Sequence, residues 1–390
     1  MRSGPFVAVL AATVLAFGGY ALMLPVVPLH AAAGGASPAA AGATTGVFMA
    51  STVAAQLTVP AVLRRIGPRA GLVVGVLALG APAVLMVVTA ALPVLFAVAV
   101  VRGLGFGLVT VTGAALVADL APPARRGRAT GLYGLAVGLP QLALLSGGVW
   151  AYEALDGAWV LLAGALLPVA AAPACWRLPG RSVAATDGTP SRRALPADAV
   201  TGPWTAMVVS AAAAGGVITV LPLWTPAPGT PGLAGGTVVA AVALAVLTAG
   251  QLLGRGISGE IADRARPAGP VITLVGLGVV ALGAAVVGLG GTSAGWVVLA
   301  GAGLVGLGFG AVQNDTLLSL FARAGPERSS TASTWWNTAY DAGTGLGAAA
   351  LAAVLGGLSG AAAFVIAAGA CLLVAPIAAR RPRREGTRAR

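Results

Sequence analysis

The chain has 390 residues, of which 58% are hydrophobic and 9% are charged, and its formal net charge is +12. A soluble domain carries about 25% charged residues, so these charges are too few to cover a globular surface or to build a nucleic-acid-binding face. The composition instead predicts an all-α membrane protein whose outer surface faces lipid.

The residue types that are missing exclude several kinds of chemistry. All 23 basic residues are arginine, which excludes a Walker A lysine and a Schiff-base lysine. The one histidine, His30, cannot form a multi-histidine metal site. Cys175 and Cys371 stand alone in apolar runs, where we interpret them as small packing residues. We therefore expect no metal, no cofactor and no enzymatic activity.

Twelve apolar runs are each long enough to cross a bilayer, which takes about 20 residues in a helix. The first six occupy residues 5–28, 44–63, 70–90, 93–118, 129–152 and 158–176. The other six occupy residues 203–224, 233–254, 270–289, 295–321, 329–355 and 361–378. The sequence therefore predicts twelve membrane-spanning helices, numbered here one to twelve.

The longest polar segment, residues 177–202, separates the sixth span from the seventh. It predicts a cytoplasmic linker between a six-helix bundle at 1–176 and a second bundle at 203–378, with a basic tail at 379–390. In an alternative interpretation the first span is a signal peptide, because Arg2 precedes it and small residues follow at 31–33. Removing it would leave an odd number of spans.

The arginines predict the orientation of the chain. Every arginine except Arg102 falls at a terminus or in a connection on one side of the predicted bundle. In the connections on the other side, the only charged residues are Glu153 and Asp156. Arginine-rich connections stay in the cytoplasm. We therefore predict a multi-pass protein of the cell membrane with both termini cytoplasmic.

The two halves share an internal repeat. The pentapeptide GLGFG occurs at 103–107 and again at 306–310, and the same offset of 203 residues pairs Pro123 with Pro326 and Arg125 with Arg328. An even number of spans separates the copies, so both have the same orientation in the membrane. The repeat predicts two parallel six-helix halves that rock about a site between them.

Three motifs resemble those of the major facilitator superfamily. Residues 254–264, GRGISGEIADR, are similar to its loop signature of a glycine and an Asp-Arg pair, and residues 63–69, LRRIGPR, keep the glycine and the basic residues but have Arg64 at the usual aspartate. Arg102, Gly103 and Gly105 look like its fourth-helix motif. The fifth span resembles the glycine-proline motif of the antiporter branch, with altered spacing around Pro140.

The resemblance covers nearly the whole chain and implies the two-bundle transporter fold with alternating access. It also implies that spans three, six, nine and twelve face lipid and that the other spans line a central cavity. The absence of charged residues from those four spans agrees with this division.

Three residues with charged side chains lie inside predicted spans. Burying a charge in a membrane is costly, so such a residue suggests a functional role. Asp341 is near the middle of the eleventh span, Asp315 is nearer the cytoplasmic end of the tenth, and Arg102 is about 14 Å into the fourth. We predict that they couple transport to protons, with Asp341 as the carrier and Arg102 as its electrostatic modulator. The alternative is a set of fixed pairs that hold helices together.

Several polar or aromatic residues are candidates for binding substrate. They are Tyr20, Gln56, Gln141, Asn314, Asn337 and Trp336. For the glutamines, the alternative is hydrogen bonding between helices, and for Trp336 it is anchoring at the membrane interface.

Residues 254–264 also supply a predicted gating loop, formed by Arg255, Gly259, Asp263 and Arg264. An aspartate near a helix end can hold arginines or amides in one state of a transport cycle and release them in the other. The alternative role of the arginines is orientation by positive charge.

These observations predict a secondary transporter that exports drug-like or secondary-metabolite molecules by proton antiport. No ATP-binding motif is present, so the energy must come from an ion gradient, a substrate gradient or a partner ATPase. The expected partners are a small-molecule substrate, protons and membrane lipid, with no nucleic acid, and the protein is expected to be a monomer. One alternative is a proton symporter that imports a sugar or an organic acid, for which Arg102 would bind a carboxylate. Another is a membrane receptor or scaffold without transport.

Overall fold

The computed structural model describes residues 4–122, 125–178, 195–224, 235–265, 270–325 and 328–380. Within these ranges all regular secondary structure is helical, which confirms the predicted all-α class. Most of the predicted linker and tail, at 179–194 and 381–390, lies outside the described residues.

The helices of the amino-terminal half are packed around buried aromatic and aliphatic side chains. They are α1 (Gly4–Ala33), α2 (Pro38–Gly80), α3 (Leu85–Val88), α4 (Leu92–Leu120), α5 (Arg126–Ala154), α6 (Gly157–Val169) and α7 (Ala172–Cys175). A short 3₁₀ turn, Ala81–Val84, joins α2 to α3.

The carboxy-terminal half contains six long helices. They are α8 (Ala197–Leu223), α9 (Gly236–Ala265), α10 (Val271–Gly290), α11 (Gly295–Ala324), α12 (Ser329–Gly357) and α13 (Gly360–Ala378).

These helices account for the twelve predicted spans. Ten described helical stretches are long and apolar enough to cross a membrane, and one of them, Pro38–Val88, has 51 residues. That stretch bends at Gly67, whose φ of 78° breaks the helix ahead of Pro68, so it supplies the second and third spans. The one crossing that remains is α12, which corresponds to the predicted eleventh span and has 29 residues, including several serines and threonines.

Polar side chains begin several helices at one end of the bundle. Ser37 accepts a hydrogen bond from the Ala40 amide at the start of α2, Asp156 accepts from Ala158 at the start of α6, and Ser359 accepts from Ala362 at the start of α13. Such caps satisfy amides that have no partner within the helix. This end, with Glu153 and Asp156, is called the arginine-poor end here, and the opposite end is the arginine-rich end.

The repeated glycines hold α4 against α2. The carbonyl oxygen of Phe48 fills the space where Gly103 would carry a side chain, and at Gly107 a Cβ atom would lie 2.8 Å from the carbonyl oxygen of Thr52. The middle glycine, Gly105, faces the segment of α2 beyond the bend, where a Cβ atom would lie 2.7 Å from the carbonyl oxygen of Gly75. Only glycine permits backbones to approach this closely.

The second copy of the pentapeptide makes the equivalent contacts. Gly306 and Gly310 lie against the carbonyl oxygens of Leu247 and Gln251 in α9, and Gly308 faces α10, where a Cβ atom would lie 2.7 Å from the Val280 nitrogen. The outer glycines therefore contact the second span of each half, and the middle glycine contacts the third span. This shared packing supports the internal repeat read from the sequence.

The two halves meet closely along α2 and α12 near the arginine-poor end. Gly42 lies beside Ala348 and Ala352, and at Gly345 a Cβ atom would lie 2.6 Å from the Cβ atom of Met49. Helices α1 and α8 also touch, as do α5 and α9. The bundle is therefore closed at the arginine-poor end in this conformation.

The predicted loop at 254–264 is a helix in the structure. The predicted eighth span ends at Gly254, whereas α9 continues to Ala265, three turns further. No proline interrupts this segment, and Glu260 and Arg264, four residues apart, form an ion pair along the helix. As a correction, Arg255, Gly259, Asp263 and Arg264 all belong to α9 and not to a loop.

Candidate functional site

A hydrogen bond joins the two halves at the inner limit of the closed region. Gln56 of α2 donates from Nε2 to Oδ2 of Asp341 in α12 over 2.6 Å. Both side chains are buried, with 1% of Gln56 and 5% of Asp341 exposed. Among the described residues no arginine forms an ion pair with Asp341. Gln56 is thus the direct partner of the buried carboxyl group.

The amide of Gln56 has unused hydrogen-bonding capacity. Its Nε2 atom also lies 3.4 Å from the Thr110 hydroxyl, whereas its Oε1 atom is buried and has no hydrogen-bond partner in the part of the chain that the structure describes. A buried acceptor without a donor is costly, and such atoms in proteins often mark a site that binds a further group or proton.

A second polar group lies beside Asp341 in the carboxy-terminal half. Tyr340 lies near Gln251, and it is close enough to Arg255 and Asp341 to interact electrostatically. Gln251 donates to Oε1 of Gln313 over 3.0 Å, and Nε2 of the buried Gln313 has no partner. Arg255 therefore belongs to this group, which places it away from the exposed end of α9.

Aromatic rings from both halves lie near these polar groups. In the amino-terminal half, Tyr20 stacks on Phe106 with centroids 4.2 Å apart, and Phe48 lies 6.0 Å from Tyr20. In the carboxy-terminal half, Tyr340 lies 5.8 Å from Phe309 and 5.9 Å from Trp336. Tyr20 lies close enough to Tyr340 and Asp341 to interact electrostatically, so the two aromatic groups approach each other at the contact between the halves.

Phe106 and Phe309 are the phenylalanines of the repeated pentapeptide. The flanking glycines fix the position of α4 and α11 against their neighbours, and this packing aims each phenylalanine at the aromatic group of its own half. The repeat thus builds the two walls of the candidate site.

Arg102 lies in the amino-terminal half and makes no contact with Asp341. Its Nε atom donates to the carbonyl oxygen of Leu79 over 3.0 Å, and its guanidinium carbon lies 5.4 Å from the centre of the Phe48 ring. Only 4% of the side chain is exposed. Arg102 and Asp341 are therefore not paired in this conformation, and the role of Arg102 as an electrostatic modulator of Asp341 stays a prediction.

Asp315 has a defined partner in its own half. Its Oδ2 atom accepts hydrogen bonds from the Thr273 amide over 3.0 Å and from the Thr273 hydroxyl over 2.5 Å. Thr273 is in the first turn of α10, so Asp315 of α11 caps that helix in place of a local residue. The contact fits the fixed structural role that the sequence left open.

The other predicted residues also have local partners. Asn314 donates to the Ser258 hydroxyl over 2.9 Å, beside Gly259, and so ties α11 to α9. Gln141 and Asn337 bond to carbonyl oxygens one turn earlier in their own helices, at Val137 and Ser333. The structure therefore brings Gln56, Asp341, Tyr20 and Trp336 toward one site, and no hydrogen bond among the described residues joins Asn314, Gln141 or Asn337 to these four side chains.

The sequence interpretation missed Gln251, Gln313 and Tyr340. Gln56 and Gln141 were chosen as candidates because each is an amide side chain within an apolar span. Gln251 and Gln313 have the same feature. Tyr340 directly precedes Asp341, but sequence position alone does not reveal that it reaches α9.

Two helical halves that enclose a buried carboxyl group, paired amides and facing aromatic rings define a membrane transporter for small molecules. The sequence profile described as Major Facilitator Superfamily matches residues 9–348. The chain belongs to this superfamily, and it is accordingly a multi-pass membrane transporter and not an enzyme.

Solved structures agree on the fold. A POT family transporter in complex with 5-aminolevulinic acid superposes with a TM-score of 0.78 at 12% identity, covering 95% of this chain and 94% of the other. The nucleoside transporter NupG superposes with a TM-score of 0.76 at 13% identity, covering 95% of this chain and 98% of the other. No curated protein sequence matches the chain.

Proposed function

We propose that this protein is a proton-coupled antiporter of the cell membrane that exports a drug-like or secondary-metabolite molecule by alternating access. In this proposal Asp341 carries the proton and both termini are cytoplasmic. The observation that carries the proposal is the hydrogen bond between Gln56 and Asp341, which links a buried carboxyl group to the contact between the halves.

The Gln56 amide can accommodate both protonation states of Asp341. A carboxylate accepts a hydrogen bond from Nε2, as in this conformation. A protonated carboxyl group also donates, and Oε1 of the same amide is a buried acceptor without a partner. An amide and a carboxylic acid can then form two hydrogen bonds face to face. Asp341 is buried and forms no ion pair among the described residues, which disfavours a permanently charged carboxylate, so exchange of a proton is the expected chemistry.

The position of this pair couples the proton to the conformational change. Helices α2 and α12 are in contact from the arginine-poor end to Gln56 and Asp341, so opening that end separates the two residues. The carboxylate forms one charge-assisted hydrogen bond across this contact and the protonated acid can form two neutral ones, so the free energy of the contact depends on the protonation state. Protonation therefore changes the relative stability of the two states.

Substrate binding is assigned to the space between the facing aromatic groups. Tyr20 and Trp336 supply ring surfaces for an apolar molecule, and the unpaired amide atoms of Gln56 and Gln313 supply an acceptor and a donor. Few, well-placed polar atoms within apolar walls are typical of small-molecule sites. Asp315 is assigned a structural role because Thr273 occupies its carboxylate.

The end of α9 is proposed as a gate at the cytoplasmic side. Asp263 and Arg264 are exposed on its last turn, and Gly259 lies one turn inside, where α9 meets Asn314 of α11. Movement between the halves would bring this helix end toward or away from the amino-terminal half. Asp263 can then exchange partners without disturbing the packing of α9.

A second candidate function is import of an organic acid by proton symport, and one observation favours an organic acid as the substrate. Arg102 is a buried cation without a carboxylate partner among the described residues. Such a group attracts an anion, whichever way the molecule is carried.

Purified protein in vesicles that contain a pH-sensitive dye distinguishes the two directions. Ethidium serves as the drug-like probe and p-aminohippurate as the carboxylate probe. Antiport predicts that an outward gradient of either probe drives protons inward, whereas symport predicts that protons leave with it. Vesicles in which neither probe moves protons would contradict proton coupling. Vesicles that contain Asp341→Asn are the matched control for leakage.

A further inference from the structure

A narrow cleft lies between α1, α2 and α4 in the amino-terminal half, toward the arginine-poor end from the Gln56–Asp341 pair. Arg102, Tyr20 and Phe48 contribute to its lining, together with Thr44 and Thr45. The other lining residues are apolar. The cleft therefore contains one charged group, and that group is cationic.

Most of the hydrogen-bonding capacity of Arg102 is unused. A guanidinium has five N–H donors, and the one on Nε is bonded to Leu79. Within the part of the chain that the structure describes, no acceptor bonds to the Nη atoms and no carboxylate lies within ion-pair distance. A buried cation without a counter-charge is costly, so this arrangement calls for an anion that the protein itself does not supply.

The guanidinium is held in place on two sides. The carbonyl oxygen of Leu79 fixes its Nε edge, and the Phe48 ring lies next to its guanidinium carbon at 5.4 Å. Phe48 is itself fixed, because its carbonyl oxygen packs on Gly103, the residue that follows Arg102. The free Nη edge is thereby oriented before any ligand arrives, and a planar fork of this kind matches a carboxylate.

The surroundings favour an aromatic or otherwise apolar carboxylate over a small inorganic anion. The Phe48 ring packs 5.6 Å from Phe106, and Tyr20 stacks on both, so the anion lies beside a continuous ring surface. The proton of the Thr44 hydroxyl is donated to the Ala41 carbonyl oxygen. Arg102 is therefore the donor available to a bound carboxylate, and the Thr44 hydroxyl is not.

We propose that Arg102 binds the carboxylate of the transported molecule and that Tyr20 and Phe48 contact its apolar body. The substrate class is therefore an organic anion with an aromatic or apolar body. This inference rests on the proposed transport function, and it holds for export and for import alike.

Equilibrium binding to the purified protein tests the proposal without a proton gradient. The probes are benzoate, benzamide and benzylammonium, which have similar shapes and carry a negative, no and a positive charge. The buffer is a zwitterionic one that contains neither chloride nor any carboxylate that could compete with benzoate. Loss of one partner from a buried charge pair weakens binding by at least about thirty-fold. We expect benzoate to bind wild-type protein more tightly than benzamide by that factor.

Two variants of Arg102 and one control variant test whether the preference for benzoate over benzamide depends on Arg102. Arg102→Gln removes the charge and should make benzoate and benzamide equivalent, whereas Arg102→Lys keeps the charge without the fork and should retain part of the preference. The matched control is Arg69→Gln, because Arg69 also lies over an aromatic ring, that of Trp176 at 4.6 Å, but outside the cleft. Its preference for benzoate should equal that of wild type.

Several outcomes would overturn the proposal. They are equal binding of benzoate and benzamide to wild type, no saturable binding of benzoate, a preference that survives Arg102→Gln, and binding of chloride alone at this site. A normal preference for benzoate in vesicles that fail to move protons would instead contradict the proposed coupling and leave the anion site intact.

Discussion

Replacing Gly345 with alanine should open the arginine-poor end. A Cβ atom at this position would lie 2.6 Å from the Cβ atom of Met49 and 3.5 Å from the carbonyl oxygen of Gly46. Carbon atoms in contact are about 3.5–4.0 Å apart, so α2 and α12 must separate locally by about 1 Å. Overpacking of this kind costs about 1–3 kcal/mol, and the cost falls only on the conformation in which these helices touch.

This cost corresponds to a decrease of about 5-fold to 150-fold in the ratio of closed to open molecules. Disulfide formation between Gly46→Cys and Ala349→Cys reports that ratio, since the Cβ position of Gly46 lies 3.0 Å from that of Ala349 in the closed form. The native Cys175 and Cys371 are buried and are replaced by alanine beforehand. Gly345→Ala should slow cross-linking and increase the reactivity of each single cysteine toward a water-soluble thiol reagent.

The matched control is Gly278→Ala in α10, where a Cβ atom would have no neighbour within 4 Å. It gains the same helix propensity and should leave cross-linking unchanged. Equal cross-linking rates in Gly345→Ala and Gly278→Ala would refute the reasoning that α2 and α12 form the closure.

Further substitutions test the packing and the polar contacts. Gly310→Ala should lower the free energy of unfolding by about 1–3 kcal/mol, because the Gln251 carbonyl oxygen occupies the position of the new methyl group. Thermal denaturation in detergent measures this change. An effect as small as that of Gly278→Ala would contradict this packing. Asp315→Ala should lower the same free energy by about 1–2 kcal/mol through loss of the cap on α10, while the folded protein retains transport driven by a pH gradient; loss of that coupling would show that the cap is not its main role. Arg264→Gln should change the unfolding free energy by less than about 0.5 kcal/mol, because its ion pair is exposed, and a larger decrease would indicate a partner beyond Glu260.

The sequence predicted the fold because membrane crossing imposes simple rules. Length and hydropathy alone indicate a span, and the distribution of arginines supported the number of crossings. The GLGFG repeat indicated equivalent helices in the two halves. The structure adds that each copy contacts the second and third spans of its half. The end of α9 was missed because polar residues beyond Gly254 resemble a loop in hydropathy, although they continue the helix.

The candidate site was only partly predictable. A carboxylate or an amide in an apolar span is visible in the sequence, and this signal found Asp341 and Gln56. Their pairing depends on the rotation and crossing of α2 and α12, which are set by small residues such as Gly42 and Gly345. For the same reason, the sequence did not reveal that Arg102 and Asp341 are apart. Arg102 is bonded to Leu79 within its own half, and sequence position alone does not show this contact.

The most direct test of the account is to measure two kinds of transport by Asp341→Asn in the same vesicles. One is exchange of labelled for unlabelled p-aminohippurate at equal pH on both sides, and the other is accumulation of the probe driven by a pH gradient. If Asp341 carries the proton, the variant should keep exchange and lose accumulation, while wild type performs both. Accumulation by Asp341→Asn at the wild-type level would contradict the central claim.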